Sequence, residues 1–335
     1  MDTLILKKEM IKENHTEDYI ELCVSYAQVL KDNGYPIIFD VKHFALLIGV
    51  NPKEIYSYYL FPEELYKTIK IPKKKGGLRE ITAPSENLKY IQRWILYNIL
   101  YRASVDNNVN GFIKNKSIVD NAKEHVGKEC VMNLDIKDFF PSITYIQIYN
   151  LFIKFGYTRH LSMVFTGLCT YKNILPQGAP TSPFISNLIC KRLDSRLDHL
   201  AKKVDATYSR YADDITFSGN KNITKYLSLI KRVITDEKFK VNEKKVRVQF
   251  KYHQQMVTGI VVNEKLSVPT KTKKYIRQQI YFSKKFGVKD NLRKQNINKT
   301  NYREHLYGLA YFIKMVESDY GNELLRDLSE IDWES

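Results

Sequence analysis

Two aspartates stand side by side in SRYADDITFSG, residues 209–219. Turns favour Asp for an ordinary reason, since its side chain bonds nearby backbone N–H groups, and an isolated Asp-Asp is most often a solvated turn. The flanks argue for more. Ala206, Tyr208, Arg210 and Ala212 alternate with Thr207, Ser209 and Tyr211, and Ile215, Thr216 and Phe217 resume strand-favouring types at once. A two-stranded ribbon then holds Asp213 and Asp214 rigid at its bend. Carboxylates that close repel unless a cation lies between them, so the pair either raises a pKa or binds metal. Asp135, in NLDIKDFF, ends a strand of its own 78 residues earlier. Carboxylates from separate strands meeting at one point could hold two divalent ions about 4 Å apart, which activate a hydroxyl and stabilise a leaving pyrophosphate. Magnesium suits such oxygen donors, and no His or Cys stands at a spacing that favours zinc.

The elements that must position these acids follow from periodicity. Segment 131–140, VMNLDIKDFF, reads as a buried strand running into a turn, and after Pro141 a helical stretch runs to Gly156. In LPQGAPTSPFISNLICKRLDSRLDHL, Ser182 reads as an N-cap and Pro183 as the first helical residue, with Ile185, Leu188, Ile189, Leu193, Leu197 and Leu200 along one face. Residues 16–70 read as short amphipathic helices stopping at Gly34 and near Gly49. IPKKKGGLREITAPS, 71–85, reads as a hairpin with a basic Gly-Gly tip, followed by a helix with an apolar stripe at Leu88, Ile91, Ile95, Ile99 and Leu100. After YADD come an amphipathic helix, 222–239, and a strand-rich stretch, 241–268.

A chain of 335 residues exceeds one ordinary domain, and a net charge of +16 favours a polyanion, nucleic acid ahead of an anionic membrane. The 24 Tyr and 16 Phe suit stacking on bases as well as a core. No apolar run reaches the roughly 18 residues of a membrane span and the N-terminus lacks a secretory pattern, so a cytoplasmic protein without a membrane partner is expected. The four cysteines form no C-x-x-C pair and read as small buried hydrophobes. Residues 265–303 hold twelve Lys or Arg against one acid, Asp290, whereas 304–335 hold eight acids against two bases. The basic block, with Lys271, Lys273, Lys274, Arg277, Lys284 and Lys285, is expected to face nucleic acid.

In order along the chain, LREI, NLDIKDFF, LPQGAPTSP, YADD and VNEKKV resemble the successive motifs of reverse transcriptases. NAKEH at 121–125 and VTG at 257–259 are similar to the pair of elements that characterise retron reverse transcriptases, and the resemblance covers residues 40–265. It implies an α+β right-hand polymerase with a helical N-terminal segment and an antiparallel palm sheet. The implied division is 1–70 helical segment and start of the fingers, 71–120 and 144–182 fingers, 121–143 and 183–265 palm, and 266–335 thumb. It further implies that Asp135, Asp213 and Asp214, with the Ile136 carbonyl, bind two Mg²⁺, and that Lys245, or Lys244 beside it, donates a proton to pyrophosphate. Arg79 with Lys74 or Lys75 would grip the triphosphate, Phe140 would exclude a 2′-hydroxyl, and Gln177 and Gly178 would lie against the nucleotide. Asn121, His125, Val257, Thr258 and Gly259 would meet RNA, although a lone His is more often a satisfied structural residue. Lys238 departs from the pattern by standing where related motifs have Gly.

The implied activity is RNA-directed DNA synthesis on a dedicated noncoding RNA that serves as template and primer. Synthesis would use dNTPs, start from a 2′-hydroxyl and yield branched msDNA, with a host RNase H and an antiphage effector protein as further partners. A group II intron-like enzyme and a non-catalytic RNA-binding scaffold are the competing readings. The first would usually carry further splicing and DNA-binding segments, and the second has no need of three mutually repelling acids.

Overall fold

The computed structural model describes residues 3–72, 77–296 and 300–334. Four helices open the chain: α1 Thr3–Lys12, α2 Glu17–Asp32, α3 Val41–Ile48 and α4 Pro52–Leu60. Local chemistry sets their ends. Asp40 caps α3 by accepting the His43 N–H at 2.7 Å, and Gly49 closes it in the left-handed region at φ 69°. β1 Tyr66–Pro72 and β2 Leu78–Pro84 pair antiparallel in unbroken register, from Tyr66 opposite Pro84 to Pro72 opposite Leu78. In α5, Glu86–Asn98, Leu88, Ile91 and Ile95 are buried as the stripe predicts, while Ile99 and Leu100 fall just beyond in a tight 3₁₀ turn.

α6 Ile118–Lys123 precedes β3 Cys130–Asp135. α7, Tyr145–Phe155, starts later than Pro141 suggested, because Thr144 and Gln147 form a reciprocal capping box there. α8 Arg159–Cys169 follows, and α9, Ser182–Ile189, takes Thr181 as its N-cap, one residue earlier than expected. The long stripe from Ile185 to Leu200 is divided at Cys190, where α10 Lys191–Lys203 begins. β4 Thr207–Tyr211, β5 Asp214–Gly219, α11 Leu227–Asp236 and β6 Arg247–Phe250 come next. The rest of the expected strand-rich stretch contributes only β7 Met256–Val257 and β8 Ile260–Val261. The chain closes with α12 Thr270–Phe286, α13 Val288–Lys294, α14 Tyr302–Val316 and α15 Ser318–Ser329. Among the described residues no helix is long and apolar enough to cross a membrane, and Cys23, Cys130, Cys169 and Cys190 are free thiols.

The described residues fall into two compact units. The first takes Met1–Asn107, Ile136–Ser195 and Ile234–Lys240. Its core is aromatic, with Phe44 edge-on to Phe165 at 5.0 Å and to Trp94 at 5.4 Å. The second takes Asn108–Asp135, Arg196–Val233 and Val241–Ser335, and is built on an antiparallel sheet of order β4-β5-β3-β6. Strand alternation sorts its side chains. Met132, Leu134, Tyr208, Ile215 and Phe217 share one face and are buried. The other face carries three tiers: Asp135 with Asp214; Asn133 with Thr216 and Ser209; and Val131 with Ser218 and Thr207. Ala122 of α6 and Val257, Ile260 and Val262 pack around Val131 at the far end of that face, which leaves the acids at the other end. A second apolar cluster, including Ile276, Ile280, Leu306, Ile313, Leu324 and Leu328, holds α12, α14 and α15 together.

Candidate active site

β4 and β5 join through two residues, Ala212 and Asp213, with Tyr211 paired to Asp214. Ala212 has φ 57°, in the left-handed region that a hairpin turn of this length reserves for Gly at its first central position. Such strain costs on the order of 1 kcal/mol or more and persists only where the surroundings enforce it. Here they do. The fully buried Arg210 donates to the Ala212 carbonyl at 3.0 Å, and Gly111 lies so close that a Cβ there would stand 2.4 Å from the Ala212 nitrogen.

Asp135, the last residue of β3, is the cross-strand partner of Asp214. Its carboxylate is buried and takes two bonds, from Lys245 Nζ at 2.6 Å and Asn242 Nδ2 at 3.1 Å, while the Asn242 N–H bonds the Asp135 carbonyl at 2.8 Å. Desolvation, and then the charge of Asp135, raises the pKa of Asp213. Desolvation with the charges of Asp213 and Asp135 lifts Asp214 to about 6, although part of its surface stays exposed. Lys245 shows the complement. Desolvation pulls its ammonium down, but the hydrogen bond and charge of Asp135, with Asp213 and Asp214, outweigh that and hold its pKa above the usual value.

Asp213 and Asp214, whose pKa values are raised by burial and then by neighbouring carboxylates, form with Asp135 the oxygen-donor set that a hard divalent ion suits, so the residues fit such an ion. Among the described residues no three acidic, His or Cys side chains form a ready metal cage. Asp135 accepts from an ammonium at one oxygen and an amide at the other, which leaves further lone pairs on both.

Residues 71–280 match the reverse transcriptase (RNA-dependent DNA polymerase) family. The Retron Ec86 reverse transcriptase of Escherichia coli is 32% identical over 308 residues, 90% of this chain and 92% of that protein. The Retron Mx65 reverse transcriptase of Myxococcus xanthus is 32% identical over 317 residues, 88% of this chain and 72% of that one. The chain belongs to the retron reverse transcriptases. It is an RNA-directed DNA polymerase with the α+β right-hand fold that the motif order implied. A truncated apo telomerase from Candida tropicalis aligns over 66% of this chain and 61% of its own at 12% identity and a TM-score of 0.43, too distant to carry an argument.

Within this reverse transcriptase the acids of two distant motifs meet in the second unit. The expected nucleotide-side residues belong to the first. Ile136 is buried in the core, as is Phe139, which packs 6.2 Å from Phe239; Phe140 is half-exposed. The Gln177 carbonyl accepts the Thr82 N–H at 2.9 Å. Gly178 has φ 142°, and a Cβ there would stand 2.8 Å from the Thr82 carbonyl oxygen, so the close approach that requires Gly is to the chain's own β2. Lys74 and Lys75 lie outside the described residues; Arg79 lies on β2, with its side chain outside them. Lys238 adopts φ 69°, a left-handed backbone that favours Gly.

The retron-type elements are placed differently from expectation. Asn121, His125 and Val257 are 0% exposed, so their side chains have no surface to offer RNA in this structure. Thr258 and Gly259 form the turn of the β7–β8 hairpin, where Thr258 is half-buried and donates to the Ile118 carbonyl at 3.1 Å and Gly259 is exposed. Of the basic residues, Lys271, Lys274, Arg277 and Lys285 are exposed, Lys285 beside the rings of Tyr281 and Phe286. Lys273 and Lys284 are engaged by acids of the C-terminal segment: Glu317 at 2.6 Å for Lys273, Asp327 at 2.8 Å and Glu330 at 2.6 Å for Lys284.

Sequence reasoning missed Asn242, Gly111 and Arg210. Asn242 sits inside the motif that contributed Lys245, so its neighbourhood was the signal. Gly111 and Arg210 had none, because their roles depend on which backbone lies beside them.

Proposed function

We propose that this polymerase copies a dedicated structured noncoding RNA into DNA from the 2′-hydroxyl of an internal guanosine, leaving a branched RNA–DNA molecule, msDNA. The observation that carries the chemical part is the register that sets Asp135 opposite Asp214, with Lys245 bonded to Asp135. NAKEH and VTG, with the two retron relatives, support the choice of RNA and primer.

In the reaction a hydroxyl oxygen attacks the α-phosphorus of a dNTP. One P–O bond forms, the bond to pyrophosphate breaks, and the hydroxyl proton passes to solvent water. Asp135, Asp213, Asp214 and the Ile136 carbonyl would hold two Mg²⁺. When bound, these ions supply the charge that lowers the hydroxyl pKa and stabilises the leaving pyrophosphate. Lys245, kept as an ammonium by the acids around it, supplies the proton that pyrophosphate takes up. Arg79 with Lys74 or Lys75 neutralises triphosphate charge, Phe140 selects against a 2′-hydroxyl on the incoming sugar, and Gln177 and Gly178 flank the base. Residues 71–120 and 144–182 act as fingers, 121–143 and 183–265 as palm, and 266–335 as thumb, with Lys271, Lys274, Arg277 and Lys285 toward the RNA. A host RNase H removes template RNA in the cytoplasm, and an effector protein joins the product in defence against phage.

The test is synthesis by the purified protein on the RNA that co-purifies with it, with Mg²⁺ and dNTPs. A product whose DNA is joined to RNA through a 2′,5′ linkage, released by a debranching enzyme, is expected. Extension only from 3′-ends would sink the priming assignment, and no incorporation at all would leave a scaffold.

A further inference from the structure

His125 ends the NAKEH element and makes no contact with solvent. Both ring nitrogens are used: Nδ1 lies 2.6 Å from Ser218 Oγ on β5, and Nε2 2.7 Å from Ser209 Oγ on β4. Those serines are not cross-strand partners. Ser209 pairs with Thr216 and Ser218 with Thr207, so the imidazole spans the two strands on the diagonal, one tier below Asp214 on β4 and two below on β5. A neutral imidazole has one donor and one acceptor, and a serine hydroxyl can serve either role, so the bridge can be fully satisfied. Burial, with the charge of Lys128, holds the His125 pKa down at about 3, which keeps the ring neutral across the working range and leaves it hydrogen bonding alone.

The mount of this ring reaches the same hairpin by a second route. Residues 108–110 run beside β4: the Arg210 N–H bonds the Asn108 carbonyl, and the Asn110 N–H bonds the Arg210 carbonyl, both at 2.9 Å. Asn121 of the same NAKEH element accepts from Asn110 Nδ2 at 3.2 Å, and the next residue, Gly111, lies under the strained turn at Ala212. On the other side Ala122 packs with Val257 of VTG, Thr258 bonds the Ile118 carbonyl, and the Gly127 N–H bonds the Val262 carbonyl at 3.0 Å.

We propose that His125 is a positioning residue for nucleotidyl transfer: it locks β4 against β5 so that Asp213 and Asp214 face Asp135, and NAKEH and VTG together form its mount. The proposal rests on the reading of those aspartates as the catalytic carboxylates. A shear of the ribbon would move both acids together, and misplacements of about 1 Å cost on the order of 100-fold in rate.

His125→Phe keeps the ring volume and removes both bonds. Turnover at saturating RNA should fall about 10- to 100-fold and half-saturation by Mg²⁺ should rise several-fold, while RNA affinity measured in chelator stays within about twofold. His125→Gln, which retains a donor and an acceptor, should recover part of the rate. Lost RNA affinity with normal turnover would make His125 an RNA determinant, and unchanged turnover in a protein that merely melts earlier would make it a core residue; either overturns the proposal. Should His125→Phe not fold, Ser209→Ala and Ser218→Ala carry the test, each lowering turnover and their double variant departing from additivity. Asp213→Asn run alongside separates the readings, since activity surviving there removes the carboxylate assignment whatever His125 does.

Discussion

The carboxylate end of the palm sheet and the C-terminal helices both concentrate like charge in the sequence, and the fold treats them in opposite ways. At the sheet end Asp135, Asp213 and Asp214 share Lys245 among them, and burial, with the repulsion that Lys245 leaves uncompensated, raises the pKa of Asp213 and Asp214. On α12 the basic run meets the acids that follow it. Lys273 bonds Glu317, which also accepts the Val268 N–H at 2.7 Å, and Lys284 bonds Asp327 and Glu330. A charge cluster that folding leaves unneutralised is available for a ligand; one that folding pairs is partly spent on packing. Net charge alone does not separate the two.

The largest effect should come from breaking the unneutralised end. Asp135→Asn or Asp213→Asn is expected to lower turnover in primer extension by about 1,000-fold or more, with RNA affinity by filter binding nearly unchanged. A loss of affinity as large as the loss of rate would mean that the acids serve folding. Next, Glu317→Ala removes the partner of Lys273 and the acceptor for the Val268 N–H together. It should cost about 2 kcal/mol in denaturant unfolding, with little change in rate per folded molecule.

Acid sharpens the contrast because the two regions respond with opposite sign. The folded-state pKa of Asp214 is raised to about 6, so its penalty is relieved as pH falls through 6, whereas His125, with its pKa held at about 3, costs stability as pH falls below its ordinary 6.5; the Asp214 contribution is therefore read by difference, and metal-free Asp214→Asn should lose more melting temperature between pH 7 and pH 5 than the parent protein. Glu317 is partly desolvated, but the bonds from Lys273 and the Val268 N–H hold its pKa below the ordinary 4.5, so its stabilisation is lost only as pH falls below that value. An Asp214→Asn protein that loses no more than the parent would contradict the assignment. The smallest effect belongs to Lys284→Ala, whose exposed pairs should contribute under about 1 kcal/mol, fading in high salt.

Much of the site was legible because its parts are local. YADD between alternating strands named a hairpin with acids at its bend, and NLDIKDFF named a strand ending in a third. Caps were legible where a side chain bonds its own backbone, as at Asp40, and not at Ser182, where Thr181 holds the N-cap position without a side-chain bond. The 241–268 stretch misled because β-branched and aromatic residues there satisfy packing around short pairs more than long ladders. For His125 the resemblance implied contact with RNA while the residue type favoured a satisfied structural role, and the fold buries it behind the hairpin between Ser209 and Ser218.

The sequence by itself determined the chemistry available, three acids, a lysine and the order of the motifs, because residue type and alternation are properties of neighbours along the chain. Only the tertiary structure decided which acid stands opposite which, which lysines are already paired, and that Gly111 and Arg210 brace the turn at Ala212 while His125 bridges β4 and β5. Those facts depend on register and close approach between segments far apart in the chain, where a shift of one residue exchanges the two faces of a strand.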